Sequence, residues 1–339
     1  MSFLNIIAAI FAFGVLILIH ELGHFILAKL NDVKVEEFAI GMGPKLLSIN
    51  GKETQYSIRV LPIGGYVKML GDETKSNDPR AFNNKSSARR LSIVIAGPLM
   101  NLVLAAVLFF AVGMANGILL PKISAVVKNS PAQKAGIKVG DTITKINNSH
   151  VGTWEDVSLY IAFNKGESVK VAVKNNNAVK NLVIVPEYNK KEGRYLIGIA
   201  PEVVQKPSIL QGTSYGANET VTMIKSAYLS LKMIFQGKAS VKDVSGPVSI
   251  IKVTGAAANA GFMALINFIA FLSAQLGVLN LLPIPALDGG YVFLFIFQMI
   301  TGKKVDDDKI GIVNTIGFAL LMLLMVVVTI KDIMYPIKF

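Results

Sequence analysis

FLNIIAAIFAFGVLILIHELGHFILAK, residues Phe3 to Lys29, carries two messages in one stretch. From Phe3 to Ile19 it contains no charged residue, and a run of this length, about 20 apolar residues, is what a helix needs to cross the hydrocarbon core of a bilayer. It then delivers His20-Glu21-Leu22-Gly23-His24. Two imidazoles at i and i+4 share one face of a helix and can reach a single zinc ion, with the glutamate between them as general base. Ionisable groups are costly in lipid, so three of them within five residues of an apolar helix point to a functional site. The segment lacks a basic n-region and a small-residue cleavage signal, and cleavage nearby would remove both histidines; it reads as a retained helix rather than a signal peptide.

The chain of 339 residues is 52% hydrophobic, with a mean hydropathy of +0.53. That is too apolar for an ordinary soluble protein and long enough for several spans plus a folded domain. Four runs can span, at about Phe3–Lys29, Leu91–Gly117, Phe262–Leu282 and Ile310–Ile330. The net charge of +12 is spread along the flanks of these runs rather than gathered in an arm or stripe, which argues against nucleic acid and for membrane orientation or anionic lipid. Cysteine is absent, so disulfides and thiolate zinc sites are excluded and any metal must be held by histidine and carboxylate. The third histidine, His150, lies in the polar turn Asn147-Asn-Ser-His150 and reads as a solvated loop residue.

These patterns predict an integral membrane α-helical protein with four transmembrane helices, a membrane-associated cytoplasmic β-hairpin region and an inserted α+β domain. The expected layout is a first span over 1–30, a β-hairpin loop over 31–90, a second span over 91–117 and the inserted domain over 118–203. An amphipathic membrane-surface region follows over 204–260, then a third span, broken, over 261–301, a short loop over 302–309 and a fourth span over 310–332. Lys29, Lys34, Lys85, Arg89 and Arg90 border the first loop, and Lys303, Lys304 and Lys309 lie in the last, whereas Met1–Asn5 has no Lys or Arg. Positive-inside then puts 31–90 and 302–309 in the cytoplasm and both termini, with the inserted domain, outside.

Within 31–90, strands at Val35–Ile49 and Thr54–Ile63 flank the hairpin signal Asn50-Gly51, and Gly64-Gly65 separates off Tyr66–Leu70. The apolar content of this loop lets it dip toward the membrane and offer an edge to an extended peptide; a plain surface hairpin is the alternative. The inserted domain shows β-like runs at Ile123–Val127, Thr142–Ile146, Val169–Val173 and Leu182–Val185. Lys206–Gly237 has Val221, Ile224, Leu229, Leu231 and Ile234 at helical spacing, for a helix lying on the outer membrane face or docked on the inserted domain.

A catalytic zinc needs a third protein ligand, here a carboxylate. Asp288 is the one charged residue between Phe262 and Gly302, and it sits where Asn280-Leu-Leu-Pro-Ile-Pro-Ala-Leu-Asp288-Gly-Gly290 breaks the third run. Irregular backbone at membrane depth survives only where it is buried in protein or lines a wet cavity. Glu36 and Glu37, in a strand outside the apolar runs, are the other candidates. Asn101, the main polar side chain of the second run, either orients a ligand or substrate backbone or joins helices; Asn280, at the start of the break, has the same two readings.

The chain resembles the bacterial site-2 proteases, RseP-type intramembrane zinc metalloproteases, over nearly its whole length. The resemblance rests on HELGH at 20–24, Phe38-Ala-Ile-Gly41-Met-Gly43-Pro-Lys45, Pro62-Ile-Gly-Gly65-Tyr-Val-Lys-Met69, Ala96-Gly-Pro-Leu-Met-Asn101, Ser245-Gly-Pro247 and Asn280-Leu-Leu-Pro-Ile-Pro-Ala-Leu-Asp288-Gly289. Ser130-Pro-Ala-Gln-Lys-Ala-Gly136-Ile-Lys-Val-Gly140-Asp141 is similar to the signature of bacterial PDZ domains. One copy is visible, where the best-known members carry two. The resemblance implies zinc held by His20, His24 and Asp288, water activated by Glu21, and a substrate kept extended near Gly64, Gly65 and Asn280. Asn101 joins these as a candidate substrate contact. It further implies cleavage of single-span membrane proteins, such as anti-sigma factors or remnant signal peptides, and a peptide ligand for the PDZ-like domain. A catalytically idle PDZ scaffold is the alternative, opposed by the intact set of four site residues. A metal transporter would draw acids and histidines from several spans, and the second and fourth have none in their apolar cores.

Overall fold

Backbone that leaves water must satisfy its own hydrogen bonds, which is why long apolar runs settle as helices. The structure, a computed structural model, describes residues 3–72, 76–176, 178–238, 245–303 and 305–336. In chain order α1 (Phe3–Leu30) leads into β1 (Val35–Asn50), β2 (Gln55–Met69) and α2 (Ser87–Asn116). The inserted part comprises β3 (Ile118–Val126), α3 (Pro131–Ala135), β4 (Thr142–Ile146), β5 (Ser149–His150), α4 (Trp154–Phe163), β6 (Val169–Asn175) and β7 (Ala178–Ile184). It continues with β8 (Glu187–Asn189), β9 (Arg194–Leu196), β10 (Ile199–Val204) and α5 (Ile209–Phe235). The chain ends with α6 (Pro247–Ala260), α7 (Phe262–Asn280), α8 (Asp288–Thr301) and α9 (Asp307–Met334). Among the described residues four helices, α1, α2, α7 and α9, are long and apolar enough to cross a membrane. Lys303 and Lys309 are exposed; Lys304 lies outside the described residues.

Two units emerge, Met1–Ala105 with Gly237–Phe339, and Ala106–Gln236. In the first, Ala28, Val33, Val35, Phe38, Val67, Ile93 and Phe295 form a core that joins α1, α2 and α8 to the strands. The expected third strand does not separate at Gly64-Gly65. Instead β2 runs through it as one antiparallel partner of β1, bent at Gly64 (φ +83°), while β1 bends at Gly41 (φ +88°) and Gly43 (φ +85°). These left-handed backbone positions are open to glycine without steric cost. The bends give residues 37–40 two sets of partners in β2, Lys68 to Gly65 and Gln55 to Ile58. Beyond the bends Met42, Leu46, Leu47, Ile49, Ile58, Val60 and Leu61 are exposed.

A helix that the sequence pattern folded into a longer surface region, α6, is explained by Ser245-Gly246-Pro247. Pro247 opens it at the first helical position, where a missing N–H costs nothing. Asp332 of α9 accepts a hydrogen bond from the Ser249 N–H at 2.8 Å, and a side chain at residue 246 would meet Val328 Cγ1 at 2.7 Å.

In the second unit a sheet ordered β10-β3-β4-β6-β7, with β5 beside β4, encloses Ile123, Ile143, Ile146, Val157, Val171 and Ile184. The motif at 130–141 is a capped turn of helix. Ser130 Oγ accepts from the Gln133 N–H, Pro131 starts α3, and Gly136 ends it left-handed. Asp141 accepts from the Lys138 N–H at 2.9 Å and from Asn175 at 2.6 Å. His150 is exposed. The inward face of α5 is made of small and polar residues. It consists of Gly212, Gly216, Glu219, Thr220, Thr222 and Ala227, with Val221 and Ile234 exposed. Glycines let α5 approach the end of α2, where a side chain at residue 216 would meet the Phe110 N at 2.9 Å.

Candidate metal centre

His20 and His24 lie on one face of α1, and Asp288, first residue of α8, comes to them from the far side of the helix break. His20 Nε2 stands 3.0 Å and His24 Nε2 3.5 Å from Asp288 Oδ2, and the two nitrogens are 3.3 Å apart. These three are the one group of histidine or acidic residues, among the described residues, whose donor atoms converge tightly enough to hold a metal ion.

The surroundings fit a cation. Asp288 Oδ2 is buried with no hydrogen-bond partner, an expense that a positive ion would remove. His24 Nδ1 lies 2.9 Å from the Ile93 carbonyl; the ring donates there and leaves Nε2 as a lone pair facing Asp288. His20 Nδ1 lies 3.2 Å from Asn101 Nδ2. A metal on His20 Nε2 makes Nδ1 a donor, and a half-turn of the carboxamide offers it Asn101 Oδ1, which is buried and otherwise unpaired. Asn101 itself is fully buried, and its backbone carbonyl accepts from Ser273 Oγ of α7 at 2.7 Å.

Ile93, Gly97 and Asn101 are four residues apart, hence on one face of α2. A Cβ at Gly97 would run into His24 Nε2, meet His24 Cε1 at 2.6 Å and His20 Nε2 at 2.9 Å. Gly97 lies in the Ala96–Asn101 stretch that carries the resemblance but had no role assigned there, and the Ile93 carbonyl did not stand out in the sequence. The four-residue spacing back from Asn101 was the available signal for the glycine; a backbone acceptor leaves none.

Glu21 faces β2: a Cβ at Gly65 would meet Glu21 Cγ at 3.2 Å and the Ala39 carbonyl at 2.9 Å. Gly64 packs instead against Met42. Asn280 closes α7, half-buried, and no hydrogen bond among the described residues joins it to the triad. The alternative acids are engaged elsewhere. Glu36 pairs with Lys68 at 3.5 Å. Glu37 accepts from Ser57 at 2.6 Å, Arg59 at 2.9 Å and Tyr66 at 2.8 Å. Burial alone would raise its pKa, but these bonds and the Arg59 charge outweigh it and bring the value to about 2.

Peptidase family M50 matches residues 8–324. The chain belongs to peptidase family M50. As a member of M50 it is a zinc metalloprotease of the site-2 type. A candidate zinc metalloprotease of Clostridium acetobutylicum is 76% identical over 339 residues, 100% of each chain. The regulator of sigma-W protease RasP of Bacillus subtilis is 32% identical over 413 aligned positions, which take in 97% of this chain and 98% of the relative. That alignment is longer than this M50 chain because the relative carries inserted residues. Among solved structures, the PDZ domain of an SdrC-like protein of Listeria innocua is 28% identical, covering 26% of this chain and 94% of its own, with a TM-score of 0.22.

Proposed function

We propose that this M50 metalloprotease is a membrane-embedded endopeptidase that cuts single-span membrane proteins within or beside their spanning segment. The observation that carries the reading is the meeting of His20, His24 and Asp288 among apolar helices, with Glu21 between the two histidines. His20, His24 and Asp288 would hold zinc, three protein ligands being the complement of a catalytic site. When bound, zinc supplies Lewis acidity toward water and toward the scissile carbonyl. Glu21 is the general base: its carboxylate takes a proton from the attacking water and later gives it to the leaving amine as the C–N bond breaks. Asn101 orients the His20 ring, and the Ile93 carbonyl orients that of His24.

A helical peptide bond is shielded by its own hydrogen bonds, so the substrate must be drawn out before attack. The bent pair β1 and β2 runs past Glu21 at Gly65 and offers backbone groups for an added strand. We assign Gly64, Gly65 and Asn280 to this substrate side. The sigma-W regulation in the name of the Bacillus subtilis relative favours anti-sigma factors among the substrates; remnant signal peptides share the same single-span chemistry. The 118–203 domain is read as a PDZ-like module that takes a peptide and filters access. In this reading the protein is multi-pass, with both termini and the 118–203 domain outside and the 31–90 and 302–309 loops in the cytoplasm.

The test is cleavage of a single-span substrate by the purified protein in detergent. Chelation should stop it and added zinc restore it. Cleavage that continues in metal-free protein would overturn the reading.

A further inference from the structure

Two residues before α8 the chain does something unusual. Ala286 adopts φ +72°, in the left-handed region that disfavours any residue with a β-carbon. Its N–H donates to Asn314 Oδ1 of α9 at 3.2 Å, while Asn314 Nδ2 donates to Tyr291 Oη of α8 at 2.7 Å. One carboxamide thus grips the chain two residues before Asp288 and three residues after it. α9 also seats the bend by close approach, since a Cβ at Gly317, one turn beyond Asn314, would meet both Pro285 Cβ and the Pro285 carbonyl oxygen at 2.6 Å. Elsewhere α9 is mostly exposed, so its contact with the break is concentrated here. A polar side chain within an apolar helix is retained without cost only when it is bonded, and both ends of Asn314 are.

We propose that Asn314 is a positioning residue for the metal centre: it locks the Ala286 bend and the first turn of α8, and so presents Asp288 to His20 and His24. The proposal rests on Asp288 being the third ligand.

The experiment compares four full-length proteins in detergent, wild type, Asn314→Leu, Ala286→Gly with Asn314→Leu, and Asp288→Ala, by zinc affinity in chelator competition. Asn314→Leu should weaken zinc binding roughly tenfold to a hundredfold, the range for losing a supporting hydrogen bond behind a ligand. Adding Ala286→Gly should recover most of the loss, because glycine takes the left-handed bend unaided. Wild-type affinity in Asn314→Leu overturns the proposal, and so does a loss that the glycine leaves unchanged, which would mark Asn314 as a helix-packing residue. If Asn314→Leu does not fold, Tyr291→Phe decides: it frees one end of the carboxamide, so a severalfold loss supports the proposal and unchanged affinity overturns it. Zinc retained in Asp288→Ala would instead bring down the ligand assignment. Zinc lost there but kept in Asn314→Leu would leave that assignment standing and remove this one.

Discussion

Asp288 of α8 and Glu219 of α5 are both acids withdrawn from water, and each leaves one carboxyl oxygen buried without a hydrogen-bond partner. Their company differs. Asp288 faces two imidazole nitrogens, donor atoms that can share a metal ion with it. Glu219 faces another acid, Glu155, whose Oε2 is likewise unpaired. Burial pushes the Glu219 carboxyl well above the usual range, and the Glu155 charge pushes it the same way; Glu155 is raised too, again chiefly by burial. Two acids in that position share a proton rather than a metal. The neighbouring charge is already matched, Asp156 holding Lys225 Nζ at 3.0 Å through both oxygens. Burial of a carboxyl group therefore says little by itself; the chemistry of what it faces decides between ligand and shared proton.

The comparison breaks most sharply on metal content. Asp288→Ala should lose zinc and activity together, whereas Glu219→Gln should keep both at wild-type level; equal zinc loss in the two would end the distinction. Glu21→Gln should retain zinc while turnover falls by roughly two orders of magnitude, the scale of losing a general base. Near wild-type cleavage by that variant would remove Glu21 from the chemistry. Gly97→Ala adds a methyl group against both imidazoles and should weaken zinc binding by about tenfold, within the range for displaced ligands, readable by metal analysis without any substrate.

The remaining test concerns pH and has the smallest effect. Because Glu155 and Glu219 are raised on folding, their contribution is complete below the ordinary carboxylate range and is lost as pH climbs through their raised values. Protection against hydrogen exchange in α4 and α5, corrected for the base-catalysed intrinsic rate, should accordingly fall toward alkaline pH, and Glu219→Gln should flatten the trend. Glu37 runs the other way. With its pKa near 2, its contribution is present above the ordinary range and fades only in strong acid, so the corrected protection of β1 and β2 should not fall toward alkaline pH. An equal slope in both regions would refute the contrast.

How much could be read from residues alone follows from what side chains reveal. The i, i+4 histidines and the lone acid of the third apolar run declared themselves, since ionisable groups in such runs demand a reason. The Ile93 carbonyl has no signature in sequence, and Gly97 is conspicuous only once Asn101 is placed on its helix face. The inward face of α5 escaped because the search was for apolar periodicity, and this helix packs through glycine and threonine. The doubling-back of β1 and β2 depends on backbone sign at Gly41, Gly43 and Gly64, which residue identity permits but does not dictate. Asn314 lay inside an apolar run, where its partner across the break could not be inferred.

Gly97 carries a consequence for descent. A glycine codon becomes an alanine codon by one base change, and the methyl group that results falls on the imidazoles themselves. A lineage could thus loosen the hold on its metal in a single mutational step with HELGH and the LDG segment untouched. Its descendants would look active to any search for those motifs. Metal affinity would then be tuned at a residue that does no chemistry, and a genome survey that reads only the ligands would miss the difference.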